Sequence, residues 1–176
     1  MTTTGMIING TEGNNRLTGG SGNDSLFAEF GFSNGLFFGG NGNDSFRIGV
    51  DNTINGRKNY IWGDAGSDIL ELNSKQSMSI DWIMDFDGRN PDVGGDKINF
   101  FLGRTDFKWA ISGTNLEKKF ADDNHPFLSE GAEYYDLQIN RGTDLNNPIW
   151  FSILNLVGVD GTEITLQGLI ANGNLV

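Results

Sequence analysis

The chain reads as an all-β protein, a stack of coils built from short strands and closed on its C-terminal side by a cap of further strands. Three observations predict this. The stretch "GGSGNDSLF" at residues 19–27 returns as "GGNGNDSFR" at 39–47 and as "GDAGSDILE" at 63–71. Each copy sets an apolar residue two places after an aspartate, which is the alternation of a short strand leaving a turn. From about residue 77 glycine thins, and longer apolar and alternating runs replace the repeat.

Composition sets the outer limits. With 176 residues the chain is one domain or one elongated module, long enough to bury a core. It has 26 glycines against 3 prolines, a turn-rich balance rather than a linker's, and its 13 Phe and 4 Trp are foreign to a disordered acidic chain. The formal charge of −11 argues against nucleic acid and anionic membrane surfaces as partners. Cysteine is absent, which excludes disulfides and zinc–thiolate sites. No run approaches the ~18–20 apolar residues of a membrane span. The opening "MTTTGMIING" lacks the basic and apolar regions of a cleavable signal, so an export address is expected elsewhere.

The repeat follows the nine-residue form Gly-Gly-x-Gly-x-Asp-x-U-x, with U apolar. Residues 10–18 form a weak first copy with Gly10, Gly13 and Leu17, in which Asn15 replaces the aspartate. Residues 19–27 fit throughout, with Gly19, Gly20, Gly22, Asp24 and Leu26. The stretch 28–38 is poor and offers Asn34 and Leu36 in the right relation. Residues 39–47 fit throughout again, with Gly39, Gly40, Gly42, Asp44 and Phe46. A second poor copy, 54–62, supplies Asn59 and Ile61. Residues 63–71 keep Gly63, Gly66, Asp68 and Leu70, with Asp64 in place of the second glycine.

Strong copies alternate with weak ones. If each unit is a six-residue turn followed by a strand of about three residues, two units complete one coil, and every second turn stacks on the same edge. Asp24, Asp44 and Asp68, separated by 20 and 24 residues, then form one column. Parallel strands stack about 4.7–4.9 Å apart, so a bare column of carboxylates at that spacing is repulsive. A calcium ion, with oxygen ligands at about 2.3–2.6 Å, fits between neighbouring turns and takes oxygens from both. Glycines let the turn backbone aim carbonyls at the ion. One inward apolar side chain per strand (Leu17, Leu26, Leu36, Phe46, Ile61, Leu70) is thin burial, so metal binding is expected to supply much of the folding free energy.

These copies resemble the RTX family, the calcium-binding nonapeptide repeats of bacterial exported proteins. The resemblance covers residues 10–71 and implies a parallel β-roll. "SIDWIMDFDGRNPDVGGDKINFFLG" at 79–103 reads as strand, turn, strand. It is similar to the segment that follows the roll in serralysin-type metalloproteases and in the R-modules of mannuronan C5-epimerases. The matching residues are Ile83, Asp85, Phe86, Gly94, Asp96, Ile98 and Phe100. That likeness implies Asp85 and Asp96 as further calcium ligands, with Asp87 beside them.

"YYDLQINRG" (134–142) and "PIWFSILNLVGVDG" (148–161) suggest two more strands, and "TEITLQGLIANGNLV" closes the chain. In the resembling modules an apolar strand pattern near the end caps the roll, as an exposed last coil requires. The family's export runs through a type I system that reads an uncleaved C-terminal signal.

Little else points to chemistry. His125 is the only histidine, no H-E-x-x-H occurs, and a surface-loop histidine is expected. Trp82 and Trp150 have apolar neighbours and read as core. Trp62 and Trp109, with the basic pair Arg57 and Lys58, are the candidates for a glycan-binding surface. The expectation is a single module over 1–176, with repeats at 10–71 and a roll continuation and cap at 77–176. It is a non-catalytic, calcium-binding module, secreted and folding outside the cell. The alternative is an accessory module that binds an alginate-like polysaccharide for an attached extracellular enzyme.

Overall fold

The computed structural model describes residues 4–11, 13–28, 34–49, 58–73, 81–100, 114–140 and 150–175. The expected coils are present. Strands β1 (Ile7–Asn9), β3 (Ser25–Ala28), β5 (Ser45–Gly49), β7 (Ile69–Asn73) and β9 (Lys97–Phe100) form one sheet in that order, parallel throughout. Strands β2 (Arg16–Ser21), β4 (Leu36–Asn41), β6 (Tyr60–Ala65) and β8 (Asp81–Phe86) line the other side in parallel. That second sheet continues through β12 (Trp150–Gly158), parallel to β8, and then through β11 (Glu133–Asn140) and β10 (Thr114–Phe120), both antiparallel. The fold is an all-β parallel β-roll.

Two columns of inward side chains make the core. Register pairs link Ile8, Leu26, Phe46, Leu70 and Ile98 across the first sheet. Leu17, Phe37, Ile61, Ile83 and Leu156 are linked in the same way across the second. Full burial of such a side chain is worth roughly 1.5–3 kcal/mol, so the identical register of every coil is what holds the two sheets together. One expected member is displaced. Phe37, not Leu36, is the buried residue of β4, and Leu36 packs on the outer face. The residue that precedes the strand there is Gly35, paired in the stack with Asn15 and Asn59, so the inward position falls one place later than the Asn34–Leu36 spacing suggests.

The turns are also tighter than expected. β2, β4 and β6 run through the paired first positions of each repeat, and only 22–24, 42–44 and 66–68 separate them from the next strand.

The C-terminal segment closes the roll, but as a short helix rather than a strand. The Thr165 hydroxyl accepts a hydrogen bond from Gly168 N at 3.0 Å and starts α1 (Leu166–Ala171). Leu166, Leu169 and Ile170 share one helical face, and Leu169 is buried. The chain then reverses at Gly173 (φ 75°) and lays Leu175 beside Ile98. No helix among the described residues is long and apolar enough to cross a membrane.

Candidate calcium-binding edge

The turns 22–24, 42–44 and 66–68 stack on one edge together with the longer connection 87–96. Their last residues, Asp24, Asp44, Asp68 and Asp96, are all buried. The Oδ1 atoms of this column form a ladder. Asp24 N donates to Asp44 Oδ1 at 2.7 Å, Asp44 N to Asp68 Oδ1 at 2.7 Å, and Asp68 N to Asp96 Oδ1 at 2.9 Å. Met6 N extends it by donating to Asp24 Oδ1 at 2.6 Å. One oxygen of each carboxylate therefore does a backbone's work, holding coil to coil.

The other oxygen is left over. Oδ2 of Asp24 and Oδ2 of Asp44 are buried without a hydrogen-bond partner. A buried, unpaired carboxylate oxygen is costly unless a cation meets it. The surrounding backbone leaves room for one. A Cβ on Gly19 would overlap Asp24 Oδ2 and the carbonyl oxygen of Gly39, and a Cβ on Gly39 would overlap Asp44 Oδ2 and lie 2.7 Å from Gly63 O. Each glycine thus keeps open a cradle where a carboxylate oxygen of its own turn approaches a carbonyl of the next coil. The donors are all oxygen, which suits a hard divalent ion such as calcium. Among the described residues no three His, Cys, Asp or Glu side chains converge as a metal cluster, so backbone carbonyls must supply the balance of any coordination.

The electrostatics agree. Burial, first of all, raises the pKa of Asp44, and the neighbouring charges of Asp24 and Asp64 add to it against the hydrogen bond from Asp24 N. Asp68 is pushed up to about 8 and Asp96 to about 7, again chiefly by burial. Without a cation the column resists ionisation.

The end of the edge departs from the repeat. Asp85, on β8, accepts from Gly63 N (2.9 Å) and Asp64 N (2.8 Å) through its two oxygens, and burial pushes it up to about 6. Asp64 stands in the left-handed region (φ 65°), a conformation that Asp tolerates better than most residues. It is exposed, and its charge raises the pKa of both Asp44 and Asp85. Asp96 also accepts from Asp87 N, whereas the Asp87 carboxylate is engaged by Arg89. The predicted residues Gly19, Gly39, Gly63, Asp24, Asp44, Asp68, Asp64, Asp85 and Asp96 thus lie along one edge, with Gly20, Gly22, Gly40, Gly42 and Gly66 turning the chain between them.

A second column beside the first was missed from sequence. Asn43 N donates to Asn23 Oδ1 at 2.9 Å and Ser67 N to Asn43 Oδ1 at 3.0 Å, while Ser67 Oγ donates to the Pro91 and Gly95 carbonyls. The signal was present, since the fifth position of every good copy is a small polar residue. The opposite edge is built differently. Gly35 N donates to Asn59 Oδ1 (3.0 Å), and the backbone and amide nitrogens of Asn59 both donate to Asp81 Oδ1.

Of the four glycan candidates, Lys58 and Trp62 fall within the described residues. Lys58 is exposed, but Arg57 and Trp109 lie outside the described residues. Trp62 stacks on Phe38 (centroids 4.7 Å, planes 8° apart) and meets Phe127 edge-on at 5.3 Å. Trp82 is buried as expected, and the side chain of Trp150 lies outside what the structure describes.

Stacked parallel coils with a carboxylate ladder along one edge define a β-roll whose repeats are organised around oxygen donors. The comparison with known families narrows this: residues 7–33 and 49–74 match the model described as RTX calcium-binding nonapeptide repeat (4 copies), so these repeats are calcium-binding motifs. No curated protein matches the chain.

Proposed function

We propose that this chain is a non-catalytic β-roll module of an exported bacterial protein, folding when calcium fills the edge lined by Asp24, Asp44, Asp68, Asp85 and Asp96. The observation that carries the reading is the pair of buried, unpartnered Oδ2 atoms on Asp24 and Asp44, each approached by a carbonyl from the next coil. Bound calcium supplies the positive charge that these oxygens lack. The residues do the rest: Oδ1 holds the adjacent coil, Oδ2 and the carbonyls of Gly39 and Gly63 face the cradles, and Asp64, Asp85 and Asp96 add charge at the last one.

The formal charge of −11 gives the switch its direction. With the cation scarce, the acidic edge repels itself and the metal-free roll is only marginally stable, so the chain is readily expanded, as passage through a type I export channel requires. With calcium abundant outside the cell, filling about three cradles would bring the formal charge to about −5 and let the coils close. In that setting the module accompanies an extracellular catalytic domain rather than acting as one.

Calcium titration followed by far-ultraviolet circular dichroism and calorimetry tests the proposal. The expected result is a cooperative gain of β structure with a stoichiometry near three. A chain equally folded in chelator, binding no calcium, would sink it.

A further inference from the structure

The segment 121–132, between β10 and β11, forms a strap pinned at its neck by Ala121 N to Ala132 O and Gly131 N to Ala121 O, both 2.9 Å. It lies across the outer face of the seven-stranded sheet, over an aromatic cluster distinct from the main core. Beneath it are Tyr60 and Trp82, both buried, and Tyr134, whose ring lies 4.7 Å from that of Trp82. From above, Phe127 meets Tyr60 at 4.7 Å, and the His125 ring lies 4.4 Å from Trp82 and 5.9 Å from Tyr60. The expected surface-loop histidine is therefore half-buried in an aromatic nest.

Its hydrogen bonds fix its charge state. Nδ1 accepts from Leu128 N at 2.9 Å and from Phe127 N at 3.3 Å, so it must carry a lone pair and the ring must be neutral, with its hydrogen on Nε2. A proton on Nδ1 would point at two N–H donors and break both bonds. The groups that face the ring are few. Lys58 approaches from the start of β6, Asp122 and Asp123 lie on the strap itself, Tyr60 and Tyr134 are neutral phenols, and β8 presents Trp82. Burial, and after it Lys58, hold the His125 pKa below its ordinary value, with Asp122 opposing.

We propose that His125 is a pH-sensitive clasp: its neutral ring holds the strap shut over Tyr60, Trp82 and Tyr134, and protonation in acid releases the strap and bares that aromatic face. The sign follows from linkage. A histidine whose folded pKa is lowered adds stability that is complete above the unfolded value and is lost as pH falls. The clasp acts apart from the calcium edge, because it grips Tyr60 at the beginning of β6 whereas Gly63 and Asp64 stand toward its end.

His125 is the only histidine, so its proton resonances report one titration without ambiguity. The test uses the full chain with saturating calcium, pairing that titration with hydrogen exchange at the Phe127 and Leu128 amides, corrected for intrinsic rates. Between the free histidine value of about 6.5 and the lowered His125 midpoint, protection of both amides is expected to fall by up to about tenfold per pH unit, the slope of a one-proton opening, and to level off below that midpoint. In His125→Asn, whose Oδ1 takes the place of Nδ1 but gains no charge, protection should stay level. Unchanged wild-type protection through the histidine midpoint overturns the proposal, and so does an equal loss in His125→Asn. If that variant does not fold, coincidence or separation of the two wild-type midpoints decides the matter alone.

Discussion

Replacing Asp44 by asparagine should stabilise the calcium-free roll and shrink the further stabilisation that calcium brings. Asp44 Oδ1 accepts from Asp24 N, and Asn Oδ1 can do the same. Asp44 Oδ2 is buried without a partner, on the same side of Gly39 as the Gly63 carbonyl. In Asp44→Asn an amide N–H2 occupies that place and finds an acceptor where the carboxylate faced repulsion. Removing a buried unsatisfied group should stabilise the metal-free roll by about 1–3 kcal/mol. The same exchange takes a charged ligand from the cradle, and a tenfold loss of affinity there removes about 1.4 kcal/mol from the stabilisation that calcium adds. The gain in the metal-free roll carries into both states, so the calcium-induced rise in Tm narrows by the affinity loss alone, about 3–6 °C at roughly 2–4 °C per kcal/mol for a chain of this size. Differential scanning calorimetry with chelator and with saturating calcium measures both states. A variant with lowered metal-free Tm and an undiminished calcium-induced rise would refute the division of labour between the two oxygens.

Three further outcomes follow from the same geometry. Asp68, Asp96 and Asp85 titrate near 8, 7 and 6 when no cation is present, all above the ordinary carboxylate value. The metal-free roll is therefore most stable below about pH 4 and loses that stability as pH rises toward 8, whereas calcium affinity climbs over the same interval; thermal melts in chelator and calorimetric titrations between pH 4 and 8 check the two opposed slopes. Gly42→Ala places a Cβ against the Gly22 carbonyl at φ 136°, and strain of about 1–3 kcal/mol should appear as a lower Tm with and without calcium. Asn174→Ala leaves the Arg89 and Asp96 carbonyls without the donor that now reaches them at 2.8 and 2.6 Å, so a loss of about 1–3 kcal/mol in chemical denaturation is expected, with weaker calcium binding at the last cradle.

Much of the roll was legible because its signals are periodic. An aspartate two places before an inward apolar residue recurs without interruption through Asp24–Leu26, Asp44–Phe46 and Asp68–Leu70, and each pair stands in the expected column. The same logic found Asp96–Ile98 only through a resemblance, since its glycine pair, Gly94–Gly95, directly precedes the aspartate instead of standing five and four places before it. Where the period broke, the reading slipped. The poor copy at 28–38 left a one-residue choice between Leu36 and Phe37, and both are apolar. β10 escaped notice because "TNLEKKF" carries its one partly buried apolar contact at Leu116 among charged neighbours. α1 was masked by residues that suit a strand equally well, and only Thr165 in capping position marks it. His125 was invisible for a different reason. Its partners Tyr60, Trp82 and Tyr134 come from three strands, and no local pattern announces that meeting.

The contrast between the two edges explains why the good copies demand aspartate. An asparagine serves the structural task alone, as Asn59 shows when it accepts from Gly35 N through Oδ1 and spends its amide on Asp81. That edge is held by its own hydrogen bonds, and the space beside its glycine, Gly35, is bounded by the Phe37 ring and Asn59 Oδ1 rather than by a carboxylate and a carbonyl. Glutamate would carry the charge, but its longer stem could not keep one oxygen on the next coil's N–H while holding the other at the glycine. Aspartate is the one side chain that replaces a ladder hydrogen bond and still presents a second, charged oxygen one coil spacing away. On this reasoning Asn59→Asp should not create a calcium site. Its new oxygen would face Asp81 Oδ1 at about 3 Å with no glycine cradle between them.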